Sequence, residues 1–176
     1  MSSRPRHDVP PAAHRNIPDL AFVPFGEGVE TQLLQVDLNA GLWIIRQRMR
    51  PGVTLPTHNH TGAVYAYTTA GSWKYLEYPD LNTSGSYLFE PAGSVHTLHV
   101  PASNTEITDI WFAIHGANLN LDADGGVYEV LDARRVLRIY MSRCFKMGLA
   151  PPPVIGAEAE VAAYWAGKAT QVSLPA

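Results

Sequence analysis

The chain has 176 residues, 46% of them hydrophobic and 16% charged, the size and apolar content of one domain with a single core. Thirteen Lys and Arg against sixteen Asp and Glu leave a formal charge of −3, without the basic excess that displaces counterions from phosphate backbones, so nucleic acid is not an expected partner. The one cysteine, Cys144, rules out an internal disulfide framework, a Cys-rich zinc site and a Cys-x-x-Cys redox pair.

Residues 1 to about 18 carry four prolines among Arg, His and Asp, where a secretory leader would have an apolar stretch. They read as an extended polar arm within a lead-in over residues 1–28, and a cytoplasmic location is expected. No apolar run reaches the ~20 residues that cross a bilayer, so no membrane association is expected.

From residue 29 to 126, short runs rich in Val, Ile, Thr, Tyr and Trp alternate with turn signals such as Pro51-Gly52, Ala70-Gly71 and Pro91 to Gly93. The expected strands are Gln32 to Leu38, Gly41 to Met49, Val64 to Thr69, Ser72 to Tyr78, Ser86 to Glu90, Thr97 to Val100 and Glu106 to His115. Strands at this spacing predict an all-β fold, an antiparallel sandwich or barrel. Residues 127–176 continue the same domain with a final strand, Val127 to Leu131, and a helical segment. Asp132 is the expected N-cap of a helix whose stripe runs Val136, Leu137, Tyr140, Met141, Cys144 and Phe145, with Gly148 at its stop. Cys144 in that stripe reads as packing. Arg134, Arg135, Arg138, Arg143 and Lys146 read as a solvated face. A second, shorter helix is expected over Ala157 to Gly167.

Two stretches carry chemistry. In Gly52-x5-His58-Asn-His60, an extended strand would turn both imidazoles to one face, as a strand presents two ligands to one metal ion; a pair of surface histidines is the other reading. The second stretch runs Gly85-Ser-Tyr-Leu-Phe-Glu90-Pro91-Ala-Gly93-Ser-Val-His96. Together they resemble the two motifs of the cupin superfamily, G-x5-H-x-H-x3,4-E-x6-G and G-x5-P-x-G-x2-H-x3-N. Gly52, His58, His60 and Gly71 match the first, and Gly85, Pro91, Gly93 and His96 the second. The resemblance implies a double-stranded β-helix, or jelly-roll barrel, with a C-terminal helical extension, the two motifs on adjacent strands and His58, His60 and His96 as metal ligands.

This chain departs from the motifs at two positions. Val64 stands where the first motif has its Glu, and Val100 where the second ends in Asn. The site is therefore expected to lack the motif's carboxylate, and it resembles those cupins that hold iron on three histidines. Three neutral imidazoles leave Fe(II) its full charge and keep positions open for a bidentate oxygen chelator and dioxygen. Zinc is the alternative metal, with a sensory, ligand-binding cupin as the non-enzymatic alternative. Glu90, six residues before His96, is the candidate catalytic residue. It would orient a ligating histidine or take a substrate proton, with Lys74, Tyr65, Tyr67 or Glu77 as possible partners; an exposed edge carboxylate is the plain alternative.

The wider pattern, Gly41-Leu-Trp-Ile-Ile-Arg46, Phe89-Glu-Pro-Ala-Gly-Ser-Val-His96 and the spacing of Asp132, Leu137, Tyr140 and Cys144, resembles the 2,4′-dihydroxyacetophenone dioxygenases. That resemblance implies cleavage of a small aromatic hydroxyketone with O2 as cosubstrate, giving 4-hydroxybenzoate and formate, in a homodimer or homotetramer. Related dioxygenases of β-diketones, thiols or flavonols are the rival enzymes. His99 and His115 stay ambiguous, and His7 and His14 belong to the arm.

Overall fold

The computed structural model describes residues 12–172; residues 1–11 of the expected arm, His7 among them, lie outside the described residues. The strands are β1 (Val23–Gly26), β2 (Val29–Asp37), β3 (Leu42–Met49), β4 (His58–His60), β5 (Val64–Ala70), β6 (Ser72–Tyr75) and β7 (Asn82–Thr83). They continue with β8 (Tyr87–Glu90), β9 (Val95–His96), β10 (Leu98–His99), β11 (Thr108–His115), β12 (Asn118–Leu121) and β13 (Val127–Leu131), before α1 (Ala133–Lys146) and α2 (Glu158–Val172). Strand pairing runs β1-β2-β3-β11-β5-β8 in a six-stranded sheet, β13-β12-β4-β9 in a four-stranded one and β10-β6-β7 in a three-stranded one. All these pairs are antiparallel.

The inner faces follow the alternation of each strand. In β5, Val64, Ala66 and Thr68 point inward and Tyr65 and Tyr67 outward; Trp43 and Ile45 of β3, Trp73 of β6 and Ile110, Phe112 and Ile114 of β11 join them in the core. Helix α1 begins where expected, the Asp132 side chain accepting the Arg135 N–H at 2.7 Å. Its stripe from Val136 to Cys144 is buried, the Tyr140 hydroxyl donates to the Ala21 carbonyl at 2.7 Å, and the basic residues face solvent. Burial pushes the Cys144 thiol up to about 11, so it is an inert packing group.

Four differences from the sequence reading have physical causes. β1 precedes Val29 and contains Pro24, which reads as a breaker but sits on an edge strand where its missing N–H is harmless. The expected strand Thr97 to Val100 is shortened to Leu98–His99 and preceded by a separate strand, Val95–His96, because the chain changes sheets at Thr97: His96 pairs with β4 and Leu98 with β6. β12 was not expected, since it turns Asn118 and Asn120 inward and leaves Leu119 and Leu121 half-buried, the reverse of the usual phase. Helix α2 runs through Gly167 to Val172, an interior glycine costing only ~1 kcal/mol against alanine.

Gly71 and Gly85, both motif glycines, differ in what holds them. Each has positive φ, +69° and +90°, but a Cβ on Gly71 would stand 2.6 Å from Thr108 Oγ1 and 2.8 Å from its Cα, whereas nothing lies within 4 Å of one on Gly85. Gly85→Ala should therefore cost only the left-handed strain, about 1–2 kcal/mol, and Gly71→Ala clearly more. Urea unfolding of the two variants measures this, and equal losses would contradict it.

Candidate metal centre

β4 is three residues long and pairs on both sides, with β9 and with β12. Its alternation sends His58 and His60 into the barrel and Asn59 out, and pairing with β9 sets His58 directly opposite His96. All three histidines are buried, His96 to 1% exposure, and their candidate ligand nitrogens lie within 4.8 Å of one another. A carbonyl only accepts, so the 2.8 Å contact between His58 Nδ1 and the Pro56 oxygen fixes the proton on Nδ1 and leaves Nε2 with its lone pair.

The motif's own carboxylate is absent at Val64, and the candidate Glu90 brings a different one to the histidines. Glu90 ends β8 and pairs across the ladder with Val64, the position where the motif has its Glu, so the carboxylate arrives from the neighbouring strand. Although β8 is an edge strand, Glu90 is only 3% exposed, so the exposed-carboxylate alternative fails, and its Oε2 lies 3.1 Å from His96 Nε2 and 3.4 Å from His60 Nε2. The expected partners are corrected too. Tyr65 and Tyr67 face outward, Lys74 lies on the opposite face of β6 from Tyr75, and Glu77 accepts the Thr97 N–H at 2.9 Å. The group that holds Glu90 is Tyr75, whose hydroxyl donates to Oε1 and whose ring stacks on His96 at 3.8 Å and 17°.

Burial works against charge in this cluster. It lowers His58 and takes His60 down to about 4, so both rings are neutral near pH 7 and offer lone pairs. Burial also works to raise the Glu90 carboxyl, but the facing His96 and His60 and the Tyr75 hydroxyl outweigh it and leave Glu90 below the usual carboxylate range. Burial and the nearby carboxylate raise the Tyr75 hydroxyl, which stays protonated as a donor.

These residues fit a divalent transition ion. Glu90 Oε2 and His96 Nε2 are both shut off from solvent and neither has a hydrogen-bond partner, although they stand 3.1 Å apart. The contacts of 3.1 and 3.4 Å set the Glu90 carboxylate beside the ring nitrogens that would face an ion, where its charge offsets part of the ion's own. Three histidines with a carboxylate facing them suit iron, zinc and similar ions alike.

His58, His60 and Tyr75 form part of the wall of a cavity of about 370 Å³, within the ~300–1,000 Å³ of small-ligand sites. Most of the rest is apolar, with Phe25, Trp43, Ile45, Phe112 and Ile114 prominent. Asn118, Asn120 and Glu129 add a polar edge, Asn118 donating to Asn120 at 2.9 Å and Asn120 to Glu129 at 2.8 Å. The sequence reading missed this edge, because the only signal was an Asn-Leu-Asn-Leu alternation in inverted phase. Tyr75 gives no signal in the sequence beyond its place in the expected strand Ser72 to Tyr78. His99 bonds Thr54 Oγ1 at 2.8 Å, and His115 packs edge-on to Tyr65; neither joins the cluster.

The ChrR cupin-like domain family matches residues 12–117. A cupin-like protein of unknown function from Ralstonia eutropha JMP134 is 33% identical, covering 78% of this chain and 90% of its own, with a TM-score of 0.69. An RmlC-like cupin from the same organism is 25% identical over 80% and 92%, with a TM-score of 0.77. An acetylacetone dioxygenase from Acinetobacter johnsonii shares the fold at 15% identity, over 81% of this chain and 99% of its own, with a TM-score of 0.66. No curated protein matches the sequence.

Two outcomes follow from the site's electrostatics. Glu90→Gln keeps the shape and removes the charge, so zinc affinity measured by chelator competition should fall about 10–100-fold; an unchanged affinity would contradict the geometry. In the metal-free protein, His60 in the unfolded chain takes up a proton near pH 6.5 that the folded ring refuses until about 4. Stability should therefore decline as pH falls through that window, by on the order of 3 kcal/mol in total, and urea melts at pH 7 and pH 5 should already show most of the loss.

Proposed function

Since it matches the ChrR cupin-like family over more than half its length, the chain belongs to that family, and from this premise we propose that it is a non-haem Fe(II) dioxygenase. Its reaction is cleavage between the carbonyl and hydroxymethyl carbons of an aryl α-hydroxyketone. The observation that carries this reading is a buried cluster of His58, His60, His96 and Glu90 against a mostly apolar cavity. A cavity of about 370 Å³ edged by Phe25, Trp43, Phe112 and Tyr75 suits one aromatic ring with a short oxygenated chain.

His58, His60 and His96 would hold the ion, with Glu90 facing it. Bound there, Fe(II) would supply coordination positions for the carbonyl and hydroxyl oxygens of the substrate and for dioxygen. The residues themselves do the rest. The apolar wall excludes water and packs the ring. The Tyr75 hydroxyl donates to Glu90, which leaves its oxygen lone pairs free to accept a substrate hydroxyl. The substrate proton would pass to Tyr75 Oη as the Tyr75 proton passes to Glu90 Oε1, so that Glu90 acts as a base through Tyr75. With 2,4′-dihydroxyacetophenone, both atoms of O2 would enter the products, 4-hydroxybenzoate and formate, and no external reductant is needed. Self-association as a homodimer or homotetramer belongs to the same reading, supported by Tyr67, Tyr87 and Phe89 exposed on the outer sheet face.

The family supports a second reading, a metal-holding cupin that binds a small ligand without turning it over. One experiment separates the two: reconstitute anaerobically with Fe(II), add 2,4′-dihydroxyacetophenone and O2, and follow O2 uptake and formate. The dioxygenase reading expects one formate per O2, loss of turnover in His96→Ala, and a fall in kcat of about 10²-fold or more in Glu90→Gln and Tyr75→Phe. Tight zinc binding with no O2 uptake on any α-hydroxyketone would favour the second reading and refute the first.

A further inference from the structure

His58 has a built-in partner for its Nδ1, the Pro56 carbonyl, and His60 has none: its Nδ1 is shut off from solvent without a hydrogen bond. The residue directly opposite His60 on β12 is Asn118, and its Oδ1 is likewise enclosed and unpartnered. Directly opposed antiparallel residues have Cβ atoms about 4.5–5.5 Å apart. Nδ1 and Oδ1 each stand two bonds beyond Cβ on these paired residues; no hydrogen bond joins them in this structure, and a small side-chain rotation across the pair would close one. Since neither is open to the cavity or to water, no substrate atom reaches them.

The amide's polarity is set from outside. The Glu129 carboxylate only accepts, so Asn120 turns its NH2 group to it, at 2.8 Å. That leaves Asn120 Oδ1 to receive the Asn118 NH2 group at 2.9 Å, and Asn118 is left with its oxygen as the free end. The chain from Glu129 through Asn120 to Asn118 thus presents a free acceptor on the residue directly opposite a ring whose Nδ1 lacks one.

We propose that Asn118 is a positioning residue for the metal centre: its Oδ1 accepts the His60 Nδ1–H and so fixes the His60 Nε2 lone pair toward the ion, with Glu129 and Asn120 setting the direction of the amide. This rests on the reading of His58, His60 and His96 as ligands. A ligating imidazole whose other nitrogen is held in this way is oriented and made more basic, and loss of such a partner costs about 10–100-fold in metal affinity.

The test uses the full-length, 15N-labelled protein loaded with zinc. In the wild type the His60 Nδ1–H should give a slowly exchanging proton resonance. In Asn118→Leu that proton should exchange rapidly and zinc affinity, read by chelator competition, should fall about 10–100-fold. Asn118→Asp alone sets two acceptors against each other at Asn120, whereas the double variant Asn118→Asp with Glu129→Gln reverses the chain and should restore affinity. That rescue would not follow from a merely structural role. Wild-type affinity in Asn118→Leu with an unaltered His60 signal overturns the proposal. Should the leucine variant fail to fold, the wild-type spectrum decides, since a freely exchanging Nδ1–H, or zinc held through His60 Nδ1, overturns it as well. Absence of zinc binding in the wild type would instead bring down the ligand reading and this inference together.

Discussion

In β4, a strand of only three residues with neighbours on both sides, His58 is held opposite His96 on β9 and opposite Asn120 on β12, while His60 lies opposite Asn118. A slip of one residue would turn both imidazoles outward and replace them by Asn59, because side chains alternate strictly between faces. Three rings and a carboxylate buried in a mostly apolar barrel are costly unless they have partners, so this register is tolerable only together with the groups that satisfy it. The Pro56 carbonyl and the Tyr75 hydroxyl each supply one such contact. An ion bound between His96 Nε2 and Glu90 Oε2 would supply the next.

The exchange of Glu for Val at position 64 illustrates how a ladder can preserve a site while its motif changes. Val64 and Glu90 are cross-strand partners on β5 and β8, so a carboxylate removed from one strand is available from the adjacent one. The charge balance is altered accordingly. An all-imidazole cluster would leave the ion its whole 2+ charge, whereas Glu90 offsets one unit of it. Glu90 also links the cluster to Tyr75, and through Tyr75 to the cavity where a substrate would sit.

Much of the cupin barrel and the core of the site were legible in the sequence because they rest on strong local signals. The glycines mark turns that need positive φ, and His-x-His on a strand has only one shared face. The depth of Glu90 was not legible, for a definite reason. In Tyr87-Leu-Phe-Glu90 the hydrophobic pattern argues for Phe89 inward and Glu90 outward, but Tyr87 and Phe89 are exposed and Glu90 is buried. β12 inverts the same rule with Asn118 and Asn120. In both strands polar side chains are turned inward to serve the site, Glu90 beside Leu88 in β8 and both asparagines in β12, and a pattern that assumes an apolar interior reads them backwards.

The central claim is that these side chains hold one transition ion together. Anomalous X-ray scattering from crystals of the Fe(II)-reconstituted protein, collected on both sides of the iron absorption edge, tests it most directly. The account predicts one peak per chain, in bonding distance of a nitrogen from each of His58, His60 and His96 and on the side facing Glu90. A peak elsewhere, or iron in solution with no peak in the barrel, would contradict it.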